Sequence, residues 1–128
     1  MKQIKSIFFF LLISTSIFAS DIYDDIANSI LKGDARQLAV SFGNSIDLTI
    51  IDQENVYSKA QAELIIKDFF NKNQPKSFNI IHKGSSQEGT QYAIGHLVSV
   101  NGKTFRISFY LKNTDGKNIL QELRIENK

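Results

Sequence analysis

Residues 92–111 read YAIGHLVSVNGKTFRISFYL. Two runs rich in β-branched and aromatic residues flank Asn101-Gly102, a dipeptide that takes positive φ cheaply and marks a tight hairpin. A two-residue turn there sets Val98 opposite Phe105, His96 opposite Ile107, Ile94 opposite Phe109 and Tyr92 opposite Leu111. That face is apolar almost throughout. The other face pairs Ser99 with Thr104, Leu97 with Arg106, Gly95 with Ser108 and Ala93 with Tyr110. One covered face and one wetter face is the signature of an antiparallel sheet with helices on one side.

Working outward, the hairpin is the centre of a four-strand meander from Lys76 to Glu126. The strand before it, Ser77 to Lys83, places Phe78, Ile80 and His82 on one face. The strand after it, Asn118 to Glu126, follows a second turn dipeptide, Asp115-Gly116. A plain two-residue turn there would set Phe109 against Glu122, and a slip of one residue swaps the faces of a strand. The expectation is therefore a loop of odd length, Thr114-Asp115-Gly116, with Gly116 as its bulge residue. That register turns Ile119, Gln121, Leu123 and Ile125 inward.

The N-terminal half reads as helices and a half-buried strand. Ile22, Ile26 and Ile30 recur every four residues in a helix from Asp21 to Leu31, and Gly33 stands where a left-handed C-cap is wanted. Asp34 caps a second short helix, Ala35 to Phe42. Ser45 to Ile51 alternates, with Asp47 turned away from Ile46 and Leu48. Asp52 to Asn55 is a polar turn, and Val56-Tyr57 a very short returning strand. Ser58 and Gln61 have capping-box spacing at the head of the longest helix, whose stripe of Ala62, Ile65, Ile66, Phe69 and Phe70 should lie on the sheet. Asn73 and Pro75 end it. Helices gathered on one face of a curved antiparallel sheet, in the order α-α-β-(β)-α-β-β-β-β, make an α+β domain.

Residues 1–20 stand apart. Lys2 and Lys5 precede the apolar run Ile7 to Phe18, and Ala19-Ser20 are small residues suited to cleavage, which is the pattern of a secretory signal peptide. The run is short for a membrane span of about 20 residues, so no stable anchor is expected after cleavage. The chain has 15 basic and 13 acidic residues. The segment carries two of the lysines and no acid, so 13 of each remain in a single domain over residues 21–128. That balance is no argument for nucleic acid, whose binders present a basic face. There is no cysteine. An exported domain, periplasmic or secreted, must then be held by its core alone, and zero Cys with two His leaves no zinc motif. No cofactor motif, phosphate loop or nucleophile elbow is present.

Several segments together resemble a known family. They are Lys32-Gly33-Asp34, Val56 to Glu63, Lys67-Asp68-Phe69-Phe70, Pro75 to Phe78, Ile81 to Gly84, Tyr92 to Gly95 and Leu120 to Ile125. The mature chain is similar to the bacterial domain of unknown function 4783 family. Its order of elements resembles the nuclear-transport-factor-2-like, or cystatin-like, fold. The resemblance implies a cone whose bent sheet and helices enclose a pocket. It implies no activity, because fold alone licenses none.

Candidate pocket residues follow from the expected faces. His96 falls on the apolar face beside Ile107, as a general base or ligand-orienting group; the plainer reading is a hydrogen-bonded core histidine. Gln121 is the second polar residue on that face, and a buried amide needs a partner. Tyr57 and Tyr92 are placed at the pocket mouth, with Phe78 and Phe109 as apolar lining; the plainer reading of each tyrosine is a packed ring with its hydroxyl at the surface. His82 is a rim residue with no acid on its face to complete a metal site. The pattern favours a non-catalytic exported module that binds a small apolar ligand or an envelope protein. A homodimer through an outward patch of Leu97, Tyr110 and Leu120 is a variant. The alternative is an isomerase- or dehydratase-like cone enzyme using His96, for which no inward carboxylate is evident.

Overall fold

The structure is a computed structural model that describes residues 21–128 apart from Gln87. The signal-peptide expectation for residues 1–20 lies outside the described residues. Among the described residues, no helix is long and apolar enough to cross a membrane.

The helices start and stop where local chemistry says they should. α1 spans Ile22–Leu31, with the Asp21 carboxylate accepting from the Tyr23 N–H at 2.8 Å. Gly33, at φ +62°, closes it in a Schellman pair: Asp34 N–H to Ser29 C=O at 2.9 Å, and Gly33 N–H to Ile30 C=O at 3.0 Å. α2, Ala35–Ala39, is capped by Asp34 and stops three residues before the expected end. α3, Lys59–Lys72, carries the full Ser58/Gln61 capping box, a device of about 1 kcal/mol.

Six strands form one sheet: β1 Phe42–Ile50, β2 Gln53–Ser58, β3 Pro75–Ser85, β4 Gln91–Ser99, β5 Thr104–Thr114 and β6 Lys117–Asn127. Their order is β2-β1-β6-β5-β4-β3. Every pairing is antiparallel except β1 with β6. The sheet is curved and unclosed, and α1 packs on β3 while α3 packs on β1 and β2. The α+β expectation holds. Phe42 leaves the helix in which it was expected: it is the first residue of β1, paired with Leu120 and buried. The returning strand β2 is longer than expected. Gln53, Glu54 and Asn55 belong to it, because the turn is Ile51-Asp52 with Ile51 at φ +58°.

The central hairpin departs from the expected register by one residue. Ser99 donates its N–H to the Lys103 carbonyl at 2.9 Å, so the loop is the three residues Val100-Asn101-Gly102 rather than two. Gly102 takes φ +85° as its left-handed member. Leu97 therefore faces Phe105, Gly95 faces Ile107, and Ala93 faces Phe109. The inward face of β5 is as expected, and that of β4 is reversed. Small residues suit this face, because the Phe78 ring lies over Gly95 where a Cβ would collide with it.

The second hairpin also differs. Its loop is two residues, Asp115-Gly116, both at positive φ (52° and 78°), with Thr114 paired to Lys117. The odd residue sits inside the strand instead: Leu111 pairs with Leu120, but Tyr110 pairs with Glu122. Gln121 is that extra residue, and the bulge turns both Gln121 and Glu122 away from the core. Phe109 meets Leu123 and Ile107 meets Ile125, so these four share a face as expected. A third irregularity, at Ile81 on β3, puts His82 on the face opposite Ile80.

Candidate functional site

The space between helices and sheet is filled by side chains. Phe109, Ile107, Leu48, Leu97 and Leu123 are all at most 1% exposed. The Phe69 and Phe105 rings meet edge-on at 5.0 Å, and Tyr23 lies 6.1 Å from Phe109. Burial, with Asp21 nearby, raises the Tyr23 hydroxyl above its usual range. A surface depression of about 460 Å³ lies between the α1–α2 corner and α3, and none of the six candidate residues lines it.

The six residues do not come together. Phe78 and Phe109 are core, and Tyr57 is half-buried against it opposite Ile46. Tyr92 and His96 stand on the outer face, reversed by the three-residue loop. Gln121 is exposed on the bulge. His96 faces Arg106 across the strands, and its Nδ1 accepts from the Lys128 Nζ at 2.8 Å. The placement on which a His96 enzyme rests is therefore not formed. The expected outward patch also fails, since Leu97 and Leu120 are fully buried and Tyr110 alone of the three faces out.

The outer face holds what the candidate reading missed. Half-buried Tyr92, Ile94 and Val98 cover β4 there. His82, Tyr92 and Tyr110 run diagonally across three strands. The His82 Nε2 lies 3.2 Å from the Tyr92 hydroxyl, and the two tyrosine rings lie 5.9 Å apart. Beyond Tyr110 the face turns acidic. Tyr110 pairs with Glu122, Glu122 with Asp47, and Asp47 with Val56. One step along, Arg124 pairs with Thr49, and Thr49 with Glu54.

Arg124 is shared by three carboxylates at long range: Glu126 at 3.6 Å, Glu122 at 3.7 Å and Glu54 at 4.0 Å. Its Nε makes no hydrogen bond. Neither do Asp47 Oδ1 and Thr49 Oγ1, both screened from solvent. Burial raises the Glu122 carboxyl above its usual range. Asp47 and Glu54 add to that, and Arg124 opposes it. The signal for this arrangement was present in the sequence. Apolar residues at 120, 123 and 125 are spaced three and then two apart, which an unbroken strand cannot bury on one side.

Among the described residues, no group of three or more His, Asp or Glu side chains is placed to hold a metal ion. Among the described contacts, no carboxylate lies within hydrogen-bonding reach of either histidine.

No curated protein matches the chain. Solved structures do. A DUF4783 family protein from Bacteroides fragilis is 26% identical, covers 84% of this chain and 100% of its own, and superimposes with a TM-score of 0.77. Another from Bacteroides ovatus is 25% identical over 81% of this chain and 93% of its own, with a TM-score of 0.76. A cystatin-like domain of unknown function from Nostoc punctiforme shares the fold at 7% identity, covering 83% of this chain and 72% of its own, with a TM-score of 0.65. The fold is nuclear-transport-factor-2-like, as its neighbours indicate. The family model for the domain of unknown function DUF4783 matches residues 23–126, and the chain belongs to that family.

Proposed function

We propose that this chain is a non-catalytic exported module that binds an envelope protein through the outer face of its sheet. The observation that carries the reading is the filled interior. With Phe69, Phe78, Phe105 and Phe109 packed where a chamber would be, an apolar small ligand has no room there. The outer face instead carries the half-buried rings of Tyr92 and Tyr110, the residue type that interface centres favour, with charged residues beside them of the kind that interface rims carry. Export rests on the basic start and apolar run of residues 1–20.

Placing a photo-cross-linking residue at Tyr110, with Leu64 on the solvent side of α3 as control, tests it in the producing cell. Discrete protein adducts from the envelope fraction at Tyr110, and none at Leu64, are the expected result. Thermal stabilisation by hydrophobic small molecules, with no adduct at Tyr110, would instead favour a ligand carrier and overturn the proposal.

A further inference from the structure

Asn101 is the chain's only asparagine followed by glycine, and its side chain ties the β4–β5 tip to the end of α3. Its Oδ1 accepts from the Ser99 hydroxyl and from the Lys103 N–H at 3.1 Å. Its Nδ2 donates to the Lys72 carbonyl at 3.3 Å and to Asn73 Oδ1 at 3.2 Å. The partners fix which atom is which, since a backbone N–H only donates and a backbone carbonyl only accepts. The Lys72 carbonyl is one of those a helix leaves without an internal partner, so the Asn101 amide caps α3 from a distant part of the chain. Beside it the Val100 N–H donates to the Gln74 carbonyl at 2.8 Å. Val100, Asn101, Gly102 and Lys103 are all exposed. A contact held by a few solvent-exposed hydrogen bonds opens at low cost while the core stays closed.

The residue that makes this clasp also carries a reactive geometry. The backbone nitrogen that follows an asparagine can attack its side-chain carbonyl carbon and close a five-membered imide. Glycine permits this most readily, because no Cβ crowds the nitrogen. Nothing lies within 4 Å of where a Gly102 Cβ would stand, so the tip is open to water and base. The docked tip holds the reaction off. The Gly102 N–H donates to the Ser99 carbonyl at 3.0 Å, and both ends of the Asn101 amide are engaged.

We propose that Asn101 is a deamidation site gated by this clasp: it reacts when the tip lifts from α3, and the product keeps the tip from docking again. The Gly102 nitrogen loses its proton to base and bonds to Asn101 Cγ. The Cγ–Nδ2 bond breaks and ammonia leaves. Water then opens the imide at either carbonyl, leaving aspartate or isoaspartate at position 101. One water is consumed and one ammonia released, with no oxidation or reduction. The product has a carboxylate where the amide stood. It has no hydrogen to give the Lys72 carbonyl or Asn73 Oδ1, and it sets a negative charge against the negative end of α3. The Lys72 ammonium is already paired with Asp68 at 2.9 Å. At the other tip, Asp115-Gly116 closes the same kind of ring by losing water, so of the two tips only Asn101 releases ammonia.

The test incubates the protein, as purified from the producing cell, in mildly alkaline buffer, folded and in urea. Peptide mapping locates aspartate and isoaspartate, and released ammonia gives the rate. Position 101 should react in the folded protein, about tenfold or more slowly than in urea. Asn73→Ala removes one acceptor of the clasp, so it should speed the folded reaction severalfold and leave the rate in urea unchanged. Hydrogen exchange reads the release of the tip. The Val100 N–H should exchange about tenfold or more faster in the aged protein and in Asn101→Asp than in the fresh parent chain, while the Phe109 amide stays protected. Equal rates folded and in urea, no reaction in the folded chain, or a folded rate that Asn73→Ala leaves unchanged would overturn the gate. Val100 protection unchanged in both the aged protein and Asn101→Asp would show that the product docks as well as the amide does, and would overturn the proposal.

Discussion

The two hairpins of the meander turn on nearly the same dipeptide and solve the same problem in opposite ways. At Asp115-Gly116 both residues take positive φ and the loop is two residues long. The contact that shapes it is local, from the Gly116 N–H to the Asn113 side-chain oxygen at 3.1 Å. The strand must then absorb an extra residue, and it does so at Gln121. At Asn101-Gly102 only the glycine is left-handed, and the loop takes in Val100. That loop is docked on another element. The Asn101 amide donates to the Lys72 carbonyl at 3.3 Å and to the Asn73 side chain at 3.2 Å, and the Val100 N–H donates to the Gln74 carbonyl at 2.8 Å. A hairpin tip free in solvent follows its own turn chemistry, while a tip resting on the end of α3 follows its neighbour. Each choice fixes which side chains reach the core and which form the outer face.

The largest expected effect is on the strand both hairpins share. Phe109 is fully buried, so Phe109→Ala should lower the stability measured by urea denaturation by about 3–5 kcal/mol. A loss below about 1 kcal/mol would mean that β5 presents its other face to the helices.

Gly116→Val probes the local turn. A β-branched residue at φ +78° is strained, so a loss of more than about 1 kcal/mol is expected. An unchanged denaturation midpoint would show that the turn tolerates another type and that the Gln121 bulge is not tied to it.

Glu122→Gln sharpens the outer side of the comparison through pH. The folded carboxyl titrates above its unfolded value of about 4.3. The native state therefore binds the extra proton between the two values, and stability falls as pH rises through the folded one. The variant lacks that penalty. Its midpoint in urea should exceed that of the parent chain at pH 7 and converge with it near pH 4. The reverse ordering would show that the Arg124 contact outweighs burial.

The smallest effect belongs to His96. It is half-buried on the outer face, so His96→Leu should change stability by no more than about 0.5 kcal/mol. A drop of several kcal/mol would return it to the core and restore the two-residue loop.

Much of this molecule was legible in the sequence because the deciding interactions are short-range. Gly33 ends α1, Ser58 and Gln61 cap α3, Asp115-Gly116 turns the chain, and each does so through contacts a few residues away. The four-strand meander and the inward face of β5 follow from alternation alone. The candidate site was not legible, because a site on a sheet depends on parity. His96 and Tyr92 moved to the outer face on one added loop residue, Gln121 was turned out by one bulge, and His82 by another. The acidic seam around Asp47 joins β1 to β6, strands far apart in the chain whose adjacency no local pattern announces.

The amino-acid sequence by itself determined the family, the helices with their caps, the strands, and which face of β5 is apolar, since period and capping act within a few residues. The tertiary structure alone decided the faces of β4 and β6 and the parallel seating of β1 on β6. A one-residue shift costs little locally and is settled only when Asn101 meets the end of α3 and the Phe78 ring closes over Gly95.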